Sequence, residues 1–277
     1  LEVAAEIRRE FKLDVSIKTF FKYPVLSGLA RSLDLDSSPE SAIIPLRRHP
    51  DGARILCLPP DLGMGSVYKE LIDTMALDTG VDAMDCPDAD TNLESLEAMV
   101  AHMLDNLPDG GVGYDCLLGW SFGACLAIEM ARQLEQRGQT VGLILLDGGP
   151  RQIFVSAGYD GVAAMSQKRY WSRVLEILKR TMTAAQLTGL EDTAARNKAL
   201  WERYEVGLGL NADIFAVEAQ TPRTIEARQG GMAGLKEFTQ GQVQVIATTG
   251  DHYSMFHPPH LHQWICHAQI FIENKLF

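Results

Sequence analysis

Between Ala53 and Asp147, four short apolar runs are separated by three longer helical patterns, and this alternation limits the fold more than any other feature. ARILCLPP, VDAMDC, YDCLLGW and TVGLILLD read as strands, and GSVYKELIDTMA, NLESLEAMVAHMLDNL and FGACLAIEMARQLEQRG read as helices. Strands joined by helices of that length run side by side in one direction, with the helices crossing over the sheet. A parallel sheet needs cover on both faces, so the expected class is α/β, a mostly parallel sheet between two helical layers. From about residue 148 to residue 210 the alternation stops: VAAMSQKRYWSRVLEILKRTM and DTAARNKALWERYEVGL are amphipathic, and no convincing strand interrupts them. ADIFAVEAQ and QVQVIATTG then resume the strands with GLKEFTQG as a helix between them, and HLHQWICHAQIFIENKL closes the chain as a helix. A helical insert so placed predicts a lid, about residues 150–210, over one end of a domain covering residues 53–277. Ahead of it, LEVAAEIRREF, SIKTFFKYP and VLSGLARSLDL give short helices over residues 1–36, and residues 37–52 read as a linker and the entry to the first strand.

Composition narrows the function. With 277 residues, 46% of them hydrophobic, the chain can bury a full core. A net charge of -11 without any Lys- or Arg-rich run argues against nucleic acid as a partner. No apolar run reaches the length of a membrane span and no export signal is visible, so a soluble, cytoplasmic protein is expected. The five cysteines are scattered, without a C-x-x-C pair; buried free thiols are expected, and no metal site.

Ligands of parallel sheets sit beyond the carboxyl ends of the strands, which directs attention to the residues just after each strand. Ser121 follows LLGW inside G-W-S-F-G, with Gly119 and Gly123 as the small neighbours that a tight strand-to-helix turn requires. A serine hydroxyl becomes an effective nucleophile only with a base in reach and an acid to orient that base. Among seven histidines, His252 alone directly follows a strand pattern. Asp147 ends TVGLILLD and is the candidate acid; Glu218 or Glu226, one strand later, is the runner-up, and Asp251 would have to fold back on its neighbour. The order Ser121, Asp147, His252 is that of an α/β-hydrolase. The oxyanion of such a reaction needs backbone donors, here Phe122 after the nucleophile and Asp61 in the loop after the first of these strands. LGMGS in that loop could also be read as a phosphate-binding glycine loop, but it lacks the third glycine and the Lys-Ser/Thr ending.

PPDLGMGSVYKEL, LLGWSFGACLAIEMARQLEQRGQTVGLILLDGGP and TTGDHYSMFHPP resemble the thioesterase domains that end modular polyketide synthases and nonribosomal peptide synthetases. The resemblance runs from about Ile44 to the C-terminus and is weak in the insert. It implies an α/β-hydrolase fold and a releasing thioesterase that takes an acyl chain from a carrier-bound phosphopantetheine thioester onto Ser121. Release would follow by hydrolysis or by intramolecular cyclisation. It implies Asp147 rather than Glu226 as the acid, an upstream acyl or peptidyl carrier domain as partner, and no bound cofactor. Residues 148–210 would be a lid over an acyl channel, which Met165, Tyr170, Trp171, Val174, Leu175 and Leu178 could line; such a stripe is also what a helix buries on its own core. Trp120 and Cys125 could be pocket walls or packing. Residues 1–36 are similar to the C-terminal part of a carrier domain, starting just beyond its phosphopantetheine serine. The acidic Asp61 departs from the family, and its carboxylate is expected to point away from the oxyanion. Two other readings share these residues: a free-standing thioesterase or esterase that clears misprimed carriers, and a non-catalytic docking module.

Overall fold

The six expected strand patterns pair in one sheet, joined by a seventh strand ahead of them. The computed structural model describes residues 2–11, 43–156, 183–220 and 231–276, with residues 19, 27, 29 and 30. Among these, the strands are β1 (Ile43–Arg47), β2 (Ala53–Leu58), β3 (Gly80–Met84), β4 (Cys116–Trp120), β5 (Gly142–Leu146), β6 (Ile214–Ala219) and β7 (Val243–Thr248). They stand in the order β1-β3-β2-β4-β5-β6-β7, parallel throughout except for the antiparallel pair of β1 with β3. The helices are α1 (Glu2–Phe11), α2 (Lys69–Thr74), α3 (Leu96–Asp105), α4 (Phe122–Gln136), α5 (Arg151–Ser156), α6 (Ala184–Arg203) and α7 (Ile265–Leu276).

Alternate residues of each central strand supply two separate cores. Leu56, Leu58, Leu143, Leu145, Ile214 and Ala216 pack with Met99 and Met103 of α3 and Leu126 and Met130 of α4. Ile55, Cys57, Ile144, Leu146, Phe215 and Val217 face the other way, onto Leu71 and Ile72 of α2 and Trp264, Ala268 and Ile272 near and within α7. Every residue of β5 and β6 is buried, which explains why these strands read as unbroken apolar runs. The chain passes from β2 to β3 on one side, then crosses back to β4 on the other, so a crevice opens beyond the carboxyl ends of β2 and β4.

Three elements differ from the sequence reading. GLKEFTQG, expected as a helix, falls on a 3-10 helix over Met232–Glu237. Residues 43–47, within the stretch read as linker and entry to the first strand, form the edge strand β1. Pro45 is tolerated there because an edge strand has one side without a ladder, and the register shifts between Pro45 and Arg47. Arg47 then donates to Met75 O at 2.8 Å and Leu77 O at 2.9 Å, as well as to Ile72 O, satisfying carbonyls at the end of α2. Helix α6 begins well before Asp192, where the amphipathic pattern of the sequence starts. Thr183 and Gln186 close a capping box at its start, Thr183 Oγ1 accepting from Gln186 N at 3.2 Å and Gln186 Oε1 from Thr183 N at 2.9 Å.

Candidate active site

Ser121 lies between the last residue of β4 and the first of α4, with φ 58° and ψ −122°. L-residues rarely occupy this region, and holding one there costs on the order of 1–3 kcal/mol. Three glycines make the bend possible. A Cβ on Gly119 would lie 2.1 Å from Gly123 O, one on Gly123 2.4 Å from Leu58 O, and one on Gly148 2.1 Å from Ser121 O. The first two are the glycines of the motif; the third lies after β5 and lets the Asp147 loop approach the serine backbone. Ser121 N donates to Leu146 O at 3.0 Å, so the elbow is joined to β5 directly.

Asp147 follows β5 with φ 44°, and its N–H donates to Val217 O at 2.8 Å. Its Oδ1 accepts from Ala219 N at 3.0 Å, and its Oδ2 lies 2.6 Å from His252 Nδ1. The Asp147 side chain is 3% exposed and that of His252 18%. With Nδ1 engaged by the carboxylate, Nε2 is the ring nitrogen left for a serine hydroxyl. His252 is held against the elbow by Trp120, the residue before Ser121: Trp120 Nε1 donates to His252 O at 3.1 Å, and the two rings have centroids 5.0 Å apart. Trp120 also meets Tyr253 and Phe256 edge-on, so much of the ring named as a channel wall is engaged by the histidine loop.

The alternative acids are placed differently. Asp251 builds its own loop, its Oδ1 accepting from Tyr253 N at 3.0 Å and Ser254 N at 2.7 Å. Burial pushes the Asp251 carboxyl up, but these N–H donors, together with the Ser254 hydroxyl and nearby His252, outweigh it and hold it below its ordinary range. Glu218 lies within β6, and it is the next residue's N–H that reaches Asp147. Glu226 lies outside the described residues, as do Met165, Tyr170, Trp171, Val174, Leu175 and Leu178. Cys125 is fully buried with its thiol pKa pushed far up by burial, the state of a packing residue.

The loop after β2 begins with Pro59 and Pro60, which carry no N–H, so Asp61 holds the first amide beyond the strand. The closeness of Gly123 to Leu58 O and Pro59 O sets the start of α4, and with it the Phe122 amide, beside this loop. The Asp61 Oδ1 accepts from Leu62 N at 3.1 Å, and burial raises the pKa of this carboxyl while the charge of nearby His252 opposes the rise. A raised carboxyl pKa means that the native chain binds this proton more tightly than the unfolded chain does. Its stabilising effect is therefore present below the unfolded carboxylate range and is lost as pH rises through the folded value. Asp61→Asn keeps the acceptor for Leu62 and mimics the protonated form. Thermal unfolding is expected to show the variant more stable than the parent at pH 7, with the gap closing by about pH 4; an equal gap at both values would mean that Asp61 ionisation is not its source.

Three contacts at the site had no clear signal in the sequence. Tyr68, fully buried, donates to Leu58 O at 2.6 Å and accepts from Trp120 N at 2.7 Å. With Leu58 paired to Gly119, its hydroxyl stands where the ladder would next join Trp120 N–H to Leu58 O. Asn197 Nδ2 donates to Asp61 O at 2.8 Å, and Trp201 Nε1 to Gly149 O at 2.9 Å. Both come from α6, within the expected lid. Among the described residues no His, Cys, Asp and Glu cluster could hold a metal ion, and no helix is long and apolar enough to cross a membrane.

Comparison with known proteins places this geometry. Residues 53–268 match the family model described as Thioesterase domain. The dimodular nonribosomal peptide synthase of Bacillus subtilis is 26% identical over 223 residues, 71% of this chain and 9% of that protein. Malpinin synthetase of Mortierella alpina is 29% identical over 171 residues, 58% of this chain and 2% of its own length. The chain thus corresponds to a small part of these relatives. Among solved structures, the Vlm2 thioesterase domain bound with a dodecadepsipeptide has a TM-score of 0.63 at 18% identity, covering 85% of this chain and 98% of that one. The NocB thioesterase domain, solved as a covalent complex with a fluorophosphonate, has a TM-score of 0.57 at 19% identity, covering 82% and 95%.

Proposed function

The chain belongs to the thioesterase domain family, and on that premise we propose that it releases acyl or peptidyl chains from a nonribosomal peptide synthetase by way of an ester on Ser121. The observation that carries this reading is the 2.6 Å contact of Asp147 Oδ2 with His252 Nδ1, on a histidine packed against the residue preceding Ser121. The substrate is a thioester on the phosphopantetheine arm of an upstream carrier domain. His252 Nε2 takes the Ser121 proton as Oγ attacks the thioester carbonyl. The amides of Phe122 and Asp61 hold the oxyanion, and Asp147 stabilises the imidazolium. On collapse the C–S bond breaks and the thiol leaves with the proton from His252. Water, or a hydroxyl or amine of the acyl chain itself, then gives up a proton to His252 and displaces Ser121, yielding a free acid, a lactone or a lactam. The same residues serve all three outcomes, and the exclusion of water favours the internal nucleophile. The nonribosomal setting is supported by the relatives' names, and the similarity of residues 1–36 to a carrier domain supports the same partner.

The test is to incubate the chain with N-acetylcysteamine thioesters of peptides bearing a terminal hydroxyl or amine and to follow products by mass. Release of the thiol with a linear acid, or with a product one water lighter, is expected. Intact thioester under conditions where the protein is folded would remove the proposal.

A further inference from the structure

Helix α6 is bonded into the loop that follows β2. Asn197 is completely buried. Its Nδ2 donates to Asp61 O and approaches Cys86 Sγ at 3.5 Å, while its Oδ1 accepts from Arg196 Nε and Nη2, both at 3.3 Å. Arg196 in turn donates to Pro87 O at 2.8 Å and Asp88 O at 2.6 Å, which fastens the helix to the segment after β3. That segment is tied to the same loop, since Cys86 N donates to Gly63 O at 2.9 Å. A Cβ on Gly63, whose φ is 77°, would lie 2.9 Å from Thr193 Cγ2, so helix and loop meet without room for a side chain. Leu187 and Leu190 pack with Leu62 and Met64.

The two peptide groups that flank Asp61 are therefore fixed separately. Gly63 N donates to Pro60 O at 2.8 Å and sets the plane that carries the Asp61 N–H. Asn197 holds the carbonyl of the next plane. The two planes meet at the Asp61 Cα, so the bond from Asn197 limits how far the first plane, and with it the Asp61 N–H, can turn. We propose that Asn197 is a positioning residue for this reaction: by holding the Asp61 carbonyl from α6, it aims the Asp61 N–H at the oxyanion formed on Ser121. This rests on the reading of Ser121 and Asp61 given above. It assigns α6 the part of a fixed brace, one side of which sets the oxyanion donor through Asn197. One turn later, Trp201 holds the loop that follows the acid.

The test compares Asn197→Asp and Asn197→Leu with the parent. Aspartate keeps the shape and the acceptor for Arg196 but loses the donor to Asp61; leucine loses both at similar volume. Three readouts are taken with one medium-chain acyl group: the rate of Ser121 acylation by its N-acetylcysteamine thioester, inhibition by its trifluoromethyl ketone, and binding of its non-reactive thioether. The ketone adds Ser121 Oγ to its carbonyl carbon, the serine proton passes to His252, and the new alkoxide occupies the place of the oxyanion. For both variants the acylation rate is expected to fall about tenfold and the ketone to bind about tenfold more weakly, while thioether binding stays within twofold. A lowered melting temperature with unchanged acylation and ketone binding would overturn the proposal, and so would an equal loss in all three readouts, which would mean a damaged binding chamber. If leucine does not fold, aspartate alone decides between these outcomes. Ser121→Ala is run beside them: if it still turns over the thioester, it is the assignment of Ser121 that fails; if it is inactive while the Asn197 variants match the parent, the role of Asn197 alone fails.

Discussion

Ser121→Ala is expected to lower acyl thioester turnover by roughly a million-fold and to abolish labelling by a fluorophosphonate. The loss should be this complete because no second nucleophile follows β4; the next reactive type, Cys125, is buried inside α4 with a neutral thiol. Stability should respond differently. Alanine keeps a Cβ in the φ 58° conformation, so the bend remains strained, whereas Ser121→Gly removes the nucleophile and the strain together. Urea unfolding is expected to show the glycine variant about 1 kcal/mol more stable than the alanine variant, the relief of strain exceeding the entropic cost of glycine. Undiminished turnover by Ser121→Ala would remove the nucleophile from the proposed mechanism. Equal stabilities would show that the elbow stores no strain.

Asp147→Asn is expected to lower turnover by roughly ten-thousand-fold with little loss of fold. The reason lies in the donors around the carboxylate. Ala219 N–H occupies one oxygen and His252 Nδ1 the other, so two acceptors are needed. An asparagine has one oxygen. If it faces Ala219, its NH2 faces His252 and the imidazole is driven to the tautomer with its proton on Nε2, unable to take one from serine. If it faces His252, a buried backbone N–H is left against another donor, at a cost of about 1–3 kcal/mol. Glu226→Gln is the control and is expected to retain full turnover. The reverse pattern, a large loss only for Glu226→Gln, would move the acid to the segment after β6.

How much of this could be read from the sequence depended on whether a contact was local. Five of the six strands that read clearly have residues buried on one or both faces, because burial writes itself into the spacing of apolar residues, while the edge strand β7 reads through its β-branched residues although only Thr248 in it is fully buried. β1 escaped because its five residues include a proline, which interrupts a strand pattern. Ser121, Asp147 and His252 could be named as candidates because a parallel sheet gathers the ends of its strands, so position in the alternation stands for position in space. Asn197 and Tyr68 offered no such handle. Asn197 reaches Asp61 across 136 positions and Tyr68 reaches Trp120 across 52, and each looks locally like an ordinary helical residue.

The Tyr68 hydroxyl between Leu58 and Trp120 changes what kind of quantity the width of the crevice is. A ladder bond joins backbone to backbone and is indifferent to the residues that carry it, so a sheet closed in that way has one spacing. Here the last rung is a phenol, and burial keeps its proton in place by raising its pKa well above the usual tyrosine range. Beyond the Leu58–Gly119 pair, the link between β2 and β4 therefore passes through a single side chain, which a substitution can alter. Chains built on this plan could adjust how far the mouth of the sheet stands open by exchanging one buried residue.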